Sequence, residues 1–353
     1  MGQYTGVRST PEPPVELVSL DDILAAAERL VGIIVRTPLL PFGERAWLKP
    51  ESLQPIGSFK LRGAYNAIAS LSPAQRRAGV VTHSSGNHAQ GIARAARLLG
   101  VRAVIVMPDD ASAVKAARVR ADGAEIVVVG PSSDERMQRA HELADAQGLV
   151  LISSYDDAAV IAGQGTAGLE IVEQVAELDL PQPPPAGGRQ LEPPGLTVLV
   201  PIGGGGLASG VATAVKSLRP DARVLGVEPE LAADARESLR EGRIVRWAPE
   251  EVARTVADGM RVASIGRRNF AQLTRYLDGV LVVAEDEIKR ALVRAADEAH
   301  LVLEPSGATT LAAWLFHAAE LPAEGRAVVL LSGGNVDPER YARLVAEGRA
   351  AGG

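Results

Sequence analysis

Apolar and polar residues alternate along the chain with two different periods. After Gly79, short β-rich apolar runs read VVTH, AVIVMP, EIVVV and LVLIS. Helical periodicity marks the segments between them, which read NHAQGIARAARLL, ASAVKAARVRADG and DERMQRAHELADAQG. This alternation of strands and helices predicts a parallel sheet covered by helices.

The same rhythm resumes later in the chain. A second series of apolar runs reads TVLVPI, RVLGVEP, GVLVVAE and AVVLLSGGN. Two of these runs precede helical segments, GGGGLASGVATAVKSL and DEIKRALVRAADEAH. With 353 residues, the chain is long enough for about two domains. We therefore expect an α/β protein made of two α/β units.

Three segments lie outside this alternation. Residues 1–16 are polar and contain Pro, which predicts a flexible N-terminal tail. Ser19, followed by Asp21 and Asp22 and then by apolar residues at helical spacing, predicts a capped amphipathic helix. The segment 178–195 is rich in Pro and Gly and is expected to form an exposed loop. A docking segment in polyproline conformation is the alternative interpretation of this loop.

The composition narrows the choice of function. The formal net charge is −6 and the isoelectric point is near 5.6, so nucleic acid and anionic membranes are not expected partners. The chain has no cysteine, which excludes disulfides, thiolate nucleophiles and iron–sulfur clusters. It shows neither a signal peptide nor a run of about 18 apolar residues. A cytoplasmic location is therefore expected.

A run of four glycines, Gly203–Gly206, follows the predicted strand TVLVPI and opens the next helix. Glycines let backbone amide groups approach an anion closely, and a helix N-terminus adds a favourable dipole. We therefore expect a phosphate site here. The pattern matches neither the phosphate loop of ATP-binding proteins nor the glycine fingerprint of NAD-binding proteins. A flexible turn between strand and helix is the alternative.

Two further loops follow predicted strands. SSGNHAQG, Ser84–Gly91, offers the hydroxyl of Ser85, the amide of Asn87 and the first amide groups of a helix, which together suit an anionic substrate. Helix capping by Ser and Asn is the alternative interpretation, and His88 by itself is more typical of a packed side chain. LSGGN places Ser332 at a carboxyl end of the sheet, where ligands of open α/β sheets collect.

One lysine, Lys60, lies in the stretch PESLQPIGSFKLRGAYNA behind Gly57, Ser58 and Phe59. It is either a solvated surface charge or a nucleophile held in a pocket by these neighbours. Desolvation lowers the pKa of a lysine, and a neutral amine can bond to an aldehyde. Together with a phosphate site and polar groups for a ring, such a lysine favours pyridoxal phosphate as the cofactor.

Four motifs occur in order along the chain: KPESLQPIGSFKLRG, SSGNH, GGGG and LSGGN. With VIAGQGTAGLEI and EPSGA among them, the sequence from about Ser19 to Asp337 resembles the serine/threonine dehydratases and serine racemases of pyridoxal-phosphate fold type II. The resemblance implies a fold like the tryptophan synthase β chain, with two open parallel-sheet α/β domains and the active site between them. It implies a small mobile domain at 79–156, a large cofactor-binding domain at 17–78 and 157–353, and a homodimer or higher homo-oligomer.

The resemblance also assigns roles to individual residues. Lys60 would hold the cofactor and act as the catalytic amine, and Ser85 would act as an acid/base from the opposite face of the ring. The implied cofactor contacts are Phe59, Lys60, Asn87, Gly203, Gly204, Gly205, Gly206, Glu304 and Ser332. Among these, Asn87 would meet the phenolic oxygen, the glycines the phosphate and Ser332 the ring nitrogen. The implied substrate contacts are Ser84, Ser85, Gly86, Asn87 and His88.

The implied reaction is the β-elimination of L-threonine or L-serine, which gives 2-oxobutanoate or pyruvate and ammonia. The partner is then a small hydroxy amino acid. Serine racemisation and dehydration of threo-3-hydroxyaspartate are the alternatives within the family. A catalytically silent pyridoxal-phosphate carrier is the non-enzymatic alternative, and a nicotinamide- or nucleotide-dependent α/β enzyme is the alternative outside the family.

A cation site is the last feature that the resemblance implies. The segment VEPELAADA supplies the carboxylates of Glu228 and Asp234 and the main-chain carbonyl of Ala232. Hard oxygen ligands of this kind suit Mg²⁺, Ca²⁺ or Mn²⁺. A solvated acidic loop is the alternative. Such an ion would be structural or activating and would take no part in the chemical step.

Overall fold

The computed structural model of the protein describes residues 15–84, 86–111, 113–130, 132–178 and 195–352. Ser85, most of the predicted tail at 1–16 and most of the predicted loop at 178–195 lie outside the described residues. No helix in the described ranges is both long and apolar enough to cross a membrane.

Strands and helices alternate along the described chain, as the apolar pattern predicts. In chain order the strands are β1 (Leu40–Phe42), β2 (Ala46–Pro50), β3 (Val80–His83), β4 (Ala103–Pro108), β5 (Glu125–Val129), β6 (Val150–Leu151), β7 (Leu196–Pro201), β8 (Arg223–Pro229), β9 (Gly279–Val283) and β10 (Arg326–Leu331).

The α-helices are α1 (Leu20–Leu30), α2 (Lys60–Ala69), α3 (Pro73–Ala78), α4 (Asn87–Leu99), α5 (Ala113–Ala121), α6 (Ser133–Gln147), α7 (Ala158–Leu178), α8 (Gly206–Leu218), α9 (Asp234–Glu241), α10 (Pro249–Val252), α11 (Arg267–Tyr276), α12 (Glu285–Ala299), α13 (Pro305–Phe316) and α14 (Pro338–Ala351). Short 3-10 helices cover Glu51–Leu53, Glu230–Ala232, Asp258–Met260 and Ala318–Glu320.

The strands form two sheets within the described ranges. Six strands lie in the order β1-β2-β10-β7-β8-β9, and four lie in the order β5-β4-β3-β6. Neighbouring strands are parallel in every pair except β1 and β2. The predicted α/β fold with parallel sheets is therefore confirmed. Helix α7 leads from the smaller sheet back to the larger one and packs against α2 and α8.

The apolar pattern does not predict the antiparallel pair β1 and β2. Leu40 lies opposite Leu48 and Phe42 opposite Ala46, across a turn in which Gly43 adopts φ +67°. Strand β1 contains a Pro, which has no amide hydrogen and is tolerated only because this strand lies at the edge of the sheet. A strand of three residues is too short for a periodic pattern to reveal.

Helix α1 begins where the sequence predicts. Ser19 Oγ accepts a hydrogen bond from the Asp22 amide group (3.2 Å), and the Asp22 carboxylate accepts one from the Ser19 amide group (2.8 Å). Ile23, Ala26 and Leu30 are buried on one face of the helix. These contacts confirm the predicted capped amphipathic helix.

The larger sheet is buried on both faces, and its carboxyl end meets that of the smaller sheet. In β7, Leu199 packs into one hydrophobic cluster while Val198 and Val200 pack into another on the opposite face. Asn87, which follows β3, accepts a hydrogen bond from Asn335, which follows β10 (2.8 Å). The loops at the carboxyl ends of the two sheets therefore line one cleft, the place where open α/β sheets bind ligands.

Candidate active site

Lys60 is the first residue of α2, and its side chain is partly buried in this cleft. Its Nζ donates a hydrogen bond to the Ser154 carbonyl (2.7 Å) and lies 5.2 Å from the centre of the Phe59 ring. Burial lowers the pKa of Lys60 to about 8, although the nearby Glu304 carboxylate opposes the shift. This environment disfavours the interpretation of Lys60 as a solvated surface charge.

The glycine run between β7 and α8 is packed so closely that side chains would not fit. A Cβ on Gly204 would lie 2.2 Å from the Tyr155 ring, and one on Gly206 would lie 2.8 Å from the Tyr155 carbonyl oxygen. Gly205 adopts φ +97°, which strains any other residue. This packing explains the glycines better than a flexible turn does.

The same run has the properties of an anion site. Gly205 is the N-cap of α8, a helix of 13 residues, and it supplies no side-chain hydrogen bond to the first amide groups. These amide groups and the helix dipole favour a phosphate. Asn269 fixes the loop from the other side, since its Nδ2 donates to the carbonyls of Tyr155 (3.0 Å) and Gly204 (2.9 Å). The donor set fits the phosphate of the predicted cofactor.

Asn87, Glu304 and Asn335 form a chain of hydrogen bonds across the cleft. Asn87 Nδ2 donates to Glu304 Oε1 (2.6 Å), and Asn87 Oδ1 accepts from Asn335 Nδ2 (2.8 Å). Burial raises the pKa of Glu304 to about 8, and Asp258 adds to the shift. The Asn87 amide is therefore held with its nitrogen toward Glu304.

Ser332 lies directly after β10 and is buried. Its Oγ donates to the Ser306 carbonyl (3.3 Å), and its own carbonyl accepts a hydrogen bond from the Phe59 amide group (3.1 Å). The second contact ties the LSGGN loop to the residue that precedes Lys60. The structure therefore brings the predicted residues Phe59, Lys60 and Ser332 to one end of the larger sheet.

The substrate loop predicted at Ser84–His88 joins β3 to α4. Ser84 Oγ accepts a hydrogen bond from the Gly86 amide group (3.2 Å). His88 is buried, and burial, with Lys60 adding to it, lowers the pKa of His88 well below its usual range. His88 is thus a neutral, packed side chain beside Lys60, in agreement with the plainer interpretation of this histidine.

The two carboxylates of the predicted cation site are adjacent and buried. Glu228 lies near the end of β8 and accepts hydrogen bonds from the amide groups of Ala235 (3.0 Å) and Arg236 (2.7 Å). Asp234 Oδ2 is buried and finds no hydrogen-bond partner in the described part of the chain. Burial raises the pKa of both groups, that of Asp234 to about 7, and the charge of Asp234 adds to the shift at Glu228.

This arrangement fits a hard cation better than a solvated loop, because both acids are shielded from water. In the described residues no group of three His, Cys, Asp or Glu side chains could hold a metal ion. The predicted site has two carboxylates, and its third ligand is the main-chain carbonyl of Ala232. A group of three such side chains is therefore not required for it. Burial contributes most to the raised pKa of the Tyr155 phenol, and the charges of Asp156 and then Asp234 add to the shift.

Sequence reasoning missed four residues that shape the site: Ser154, Tyr155, Asn269 and Asn335. Ser154 acts through its carbonyl, which any residue would supply. Tyr155 and Asn269 reach the glycine loop from other segments of the chain, so spacing along the sequence gives no signal for them. Asn335 stands inside the quoted motif LSGGN, where its position beside Ser332 at a carboxyl end of the sheet was the available signal.

Known proteins resemble this chain in sequence and in fold. Residues 16–333 match the family described as pyridoxal-phosphate dependent enzyme. The L-threo-3-hydroxyaspartate ammonia-lyase of Saccharomyces cerevisiae is 38% identical over 331 residues, 92% of this chain and 95% of that protein. The serine racemase of Schizosaccharomyces pombe is 37% identical over 338 residues, 94% of this chain and 98% of that protein. The crystal structure of the T.th. threonine deaminase is 45% identical with a TM-score of 0.81, and the match covers 90% of this chain and 99% of that chain.

These matches confirm the family resemblance, the fold and the cofactor expected from the four motifs. Because the named relatives act on different amino acids, they support ammonia-lyase or racemase chemistry and leave the substrate open. The chain belongs to the fold type II pyridoxal-phosphate-dependent family of serine/threonine dehydratases and serine racemases.

Proposed function

We propose that this chain removes water and then ammonia from L-threonine and L-serine, giving 2-oxobutanoate and pyruvate. The observation that carries this proposal is the Lys60 amine, held 2.7 Å from the Ser154 carbonyl and next to Glu304. The T.th. protein named threonine deaminase, at 45% identity, supports L-threonine as a substrate.

Lys60 has two tasks in this reaction. When bound, pyridoxal phosphate supplies an aldehyde that bonds to amines and a ring that takes up electrons from the substrate α-carbon. Lys60 would hold it through neutral Nζ, and a pKa lowered by burial to about 8 makes that form accessible near neutral pH. With a substrate present, the Lys60 amine would remove the α-proton.

The surrounding residues would orient the reacting groups. Asn87 Nδ2 carries two hydrogens and gives one to Glu304, so the other can serve the phenolic oxygen. The amide groups at the start of α8 would hold the phosphate. Ser332 would meet the ring nitrogen with a neutral hydroxyl, which cannot stabilise a protonated nitrogen as a carboxylate would. A neutral partner at this position would favour prompt loss of the β-hydroxyl.

The bonds and protons balance in two stages. The electron pair of the broken Cα–H bond forms the Cα–Cβ double bond, and the β-hydroxyl leaves with a proton as water. The released enamine then reacts with water to give the 2-oxo acid and ammonia. Water lost in the first stage is therefore consumed in the second, and no oxidant or reductant is needed.

A divalent cation held by Glu228, Asp234 and the Ala232 carbonyl is part of the proposal. Among the described residues, the buried Oδ2 of Asp234 has no hydrogen-bond partner, which supports this assignment. The ion would neutralise two adjacent buried acids and so stabilise the segment that packs near Tyr155. It would lie apart from the reacting atoms and would not take part in the chemical step.

Dehydration of L-threo-3-hydroxyaspartate is the second candidate function. The Saccharomyces cerevisiae relative named for that substrate is 38% identical to this chain. A second substrate carboxylate calls for a positive side chain near the substrate loop. Arg136 on α6 is partly buried and lies near His83, the residue that directly precedes Ser84. This placement makes Arg136 the side chain to examine for such specificity.

The substrate is tested by measuring 2-oxo acid from purified protein offered L-threonine, L-serine, D-serine and L-threo-3-hydroxyaspartate separately. We expect product from L-threonine and L-serine, reduced at least about 10³-fold by Lys60→Ala. Lys289→Ala, which removes a partly exposed lysine on α12, should leave turnover unchanged. Preference for 3-hydroxyaspartate, reduced by Arg136→Ala, would favour the second candidate.

Two outcomes would contradict the proposal. Interconversion of L- and D-serine without 2-oxo acid would make the chain a racemase. Bound cofactor whose absorbance does not change with any of the four amino acids would make it a silent carrier.

A further inference from the structure

Four ionised side chains form a closed cluster beneath the cleft. The Arg62 guanidinium makes two hydrogen bonds to Glu51 (2.7 and 2.8 Å) and two to Glu170 (2.7 and 2.9 Å). Lys49 Nζ donates to Glu170 Oε2 (2.6 Å). Lys49, Glu51 and Arg62 are 0% exposed and Glu170 is 9% exposed. We call these four residues the buried ion cluster.

The buried ion cluster is balanced in charge and in hydrogen bonds. Two cations face two carboxylates, and neutral groups complete the set: Thr37 Oγ1 donates to Glu51 (2.9 Å), and Lys49 Nζ also donates to the Thr37 carbonyl (2.7 Å) and to Gln174 Oε1 (2.9 Å). Removing four charges from water is expensive, and such a cluster adds little to stability compared with apolar residues of the same shape. The position of the cluster therefore calls for an explanation.

That position is directly behind Lys60. Arg62 lies two residues after Lys60 in the first turn of α2, and Glu51 lies in the 3-10 helix before it. The Arg62–Glu51 pair thus closes the segment that carries Lys60. Helix α2 starts without a side-chain cap, since its N-cap is Phe59. An uncapped helix start needs another anchor to hold its first residue in place.

The Arg62–Glu170 pair fixes α2 against α7, and this spacing sets the environment of Lys60. A Cβ on Gly63 would lie 2.7 Å from the Val160 carbonyl, and one on Gly163 would lie 2.6 Å from the Arg62 carbonyl, so the two helices touch through their backbones. Ser154, which accepts from Lys60 Nζ, lies just before the start of α7. A shift of α2 along α7 would therefore move Lys60 away from its acceptor.

We propose that Arg62 is a positioning residue for Lys60: clamped between Glu51 and Glu170, it holds the start of α2 on α7 so that Lys60 Nζ stays at the Ser154 carbonyl. The proposal rests on the role proposed above for Lys60. Only arginine can form this clamp between two carboxylates. A planar guanidinium binds both with paired hydrogen bonds, whereas a lysine ammonium binds them as a point charge. Among the described residues, the Arg62 guanidinium contacts Glu51, Thr166 and Glu170, so its effect on the reaction would pass through Lys60.

The rival explanation is that the cluster only stabilises the fold, and the cluster itself supplies the matched control. Arg62→Lys keeps the charge and loses the paired hydrogen bonds. Lys49→Met removes the other buried cation yet leaves both Arg62 contacts in place. Two quantities are measured for each variant: denaturant unfolding, and the dissociation constant for pyridoxal phosphate from absorbance titration of the full-length protein. Borohydride reduction of the loaded enzyme with peptide mass analysis then reports the share of Lys60 that carries the cofactor.

We expect Arg62→Lys to weaken cofactor binding at least about tenfold and to lower the reducible share on Lys60, as misplacement by a fraction of an ångström does for positioned groups. Lys49→Met should lower stability at least as much and change the dissociation constant by less than about twofold. Should Arg62→Lys fail to fold, Thr166→Val removes one hydrogen bond from the guanidinium (3.1 Å) without removing a charge and should change cofactor binding in the same direction.

Equal losses of cofactor binding in Arg62→Lys and Lys49→Met would overturn the inference, and so would unchanged binding in both Arg62→Lys and Thr166→Val. A Lys60→Ala arm separates this failure from failure of the proposed function. If borohydride still attaches the cofactor to Lys60→Ala, at another lysine and to the same extent, the role proposed for Lys60 is wrong whatever the Arg62 variants do. If the adduct disappears there and Arg62→Lys behaves like Lys49→Met, only the inference about Arg62 fails.

Discussion

Two sets of buried charges in this protein are built in opposite ways. In the buried ion cluster each cation faces a carboxylate, and further hydrogen bonds complete each group. At the predicted cation site, Glu228 and Asp234 lie together and no described side chain forms an ion pair with either of them, although the Arg236 charge acts weakly on Glu228. Asp234 Oδ2 has no hydrogen-bond partner among the described residues. Burial of an ionised group is tolerated only when something compensates its charge. In the buried ion cluster the charges compensate each other, whereas the two acids of the predicted cation site would need a ligand to compensate theirs.

The pKa shifts of the acids follow the same division. Burial alone would raise the pKa of Glu51, but the guanidinium of Arg62 outweighs burial and holds that pKa below its usual range. Burial raises the pKa of Glu228, and the neighbouring Asp234 raises it further. The two acids are equally hidden from solvent, so the difference lies in the partner and not in the depth. A balanced cluster therefore needs no ligand to compensate its charge, whereas an unbalanced one is typical of a binding site.

The largest expected effect comes from breaking the balanced set. Glu170→Leu removes the carboxylate that Lys49 and Arg62 share and leaves two buried cations with one acid. We expect the free energy of unfolding to fall by about 3–5 kcal/mol, since loss of one partner leaves an uncompensated buried charge. Denaturant unfolding followed by circular dichroism measures this change.

Glu173→Leu on the same helix is the matched control. Glu173 is 61% exposed and lies 3.6 Å from Arg36, so its loss should change stability by less than about 0.5 kcal/mol. A similar small loss in Glu170→Leu would show that the cluster adapts to a missing charge, and the contrast with the cation site would then disappear.

The apolar pattern was sufficient to predict the α/β fold, because fully buried parallel strands and amphipathic helices leave strong periodic signals. The motifs were sufficient to place Asn87 and the glycine run near the carboxyl ends of strands, since each lies in a loop that follows a predicted strand. Lys60 begins α2 ten residues after β2 ends, so its place in the cleft came from the motif around it and not from a preceding strand. The packing of Tyr155 against Gly204 could not be predicted, because it depends on how distant segments meet. The same holds for the pairing of Arg62 with Glu170, two residues more than 100 positions apart.

A divalent cation would supply the missing positive charge at the predicted cation site. Addition of Mg²⁺, Ca²⁺ or Mn²⁺ after treatment with a chelator should raise the melting temperature, by about 4 °C for an ion at 100 times its dissociation constant, which corresponds to about 2.7 kcal/mol. Asp234→Asn should abolish this response, whereas Glu230→Gln, at an exposed acid of the same loop, should keep it. Thermal unfolding with each ion is the measurement. An equal response in wild type and Asp234→Asn would place the ion elsewhere.

The smallest effect concerns Lys60, whose charge is shielded but not fully paired. Because burial lowers its pKa to about 8, the neutral fraction of Lys60 should rise about tenfold between pH 7 and pH 9 and then level off, a change worth about 1.4 kcal/mol. Lys289, whose hydrogen bond with Asp286 helps raise its pKa, should gain about 100-fold over the same interval and continue to rise. Trace acetylation of the cofactor-free protein with peptide mass analysis measures both residues in one sample.

Glu304→Gln should shift the Lys60 midpoint to lower pH, since Glu304 favours the protonated amine. A midpoint near that of an ordinary lysine would mean that the cleft does not desolvate Lys60. The protein alone would then not make this amine reactive, and the bound cofactor would be needed for that.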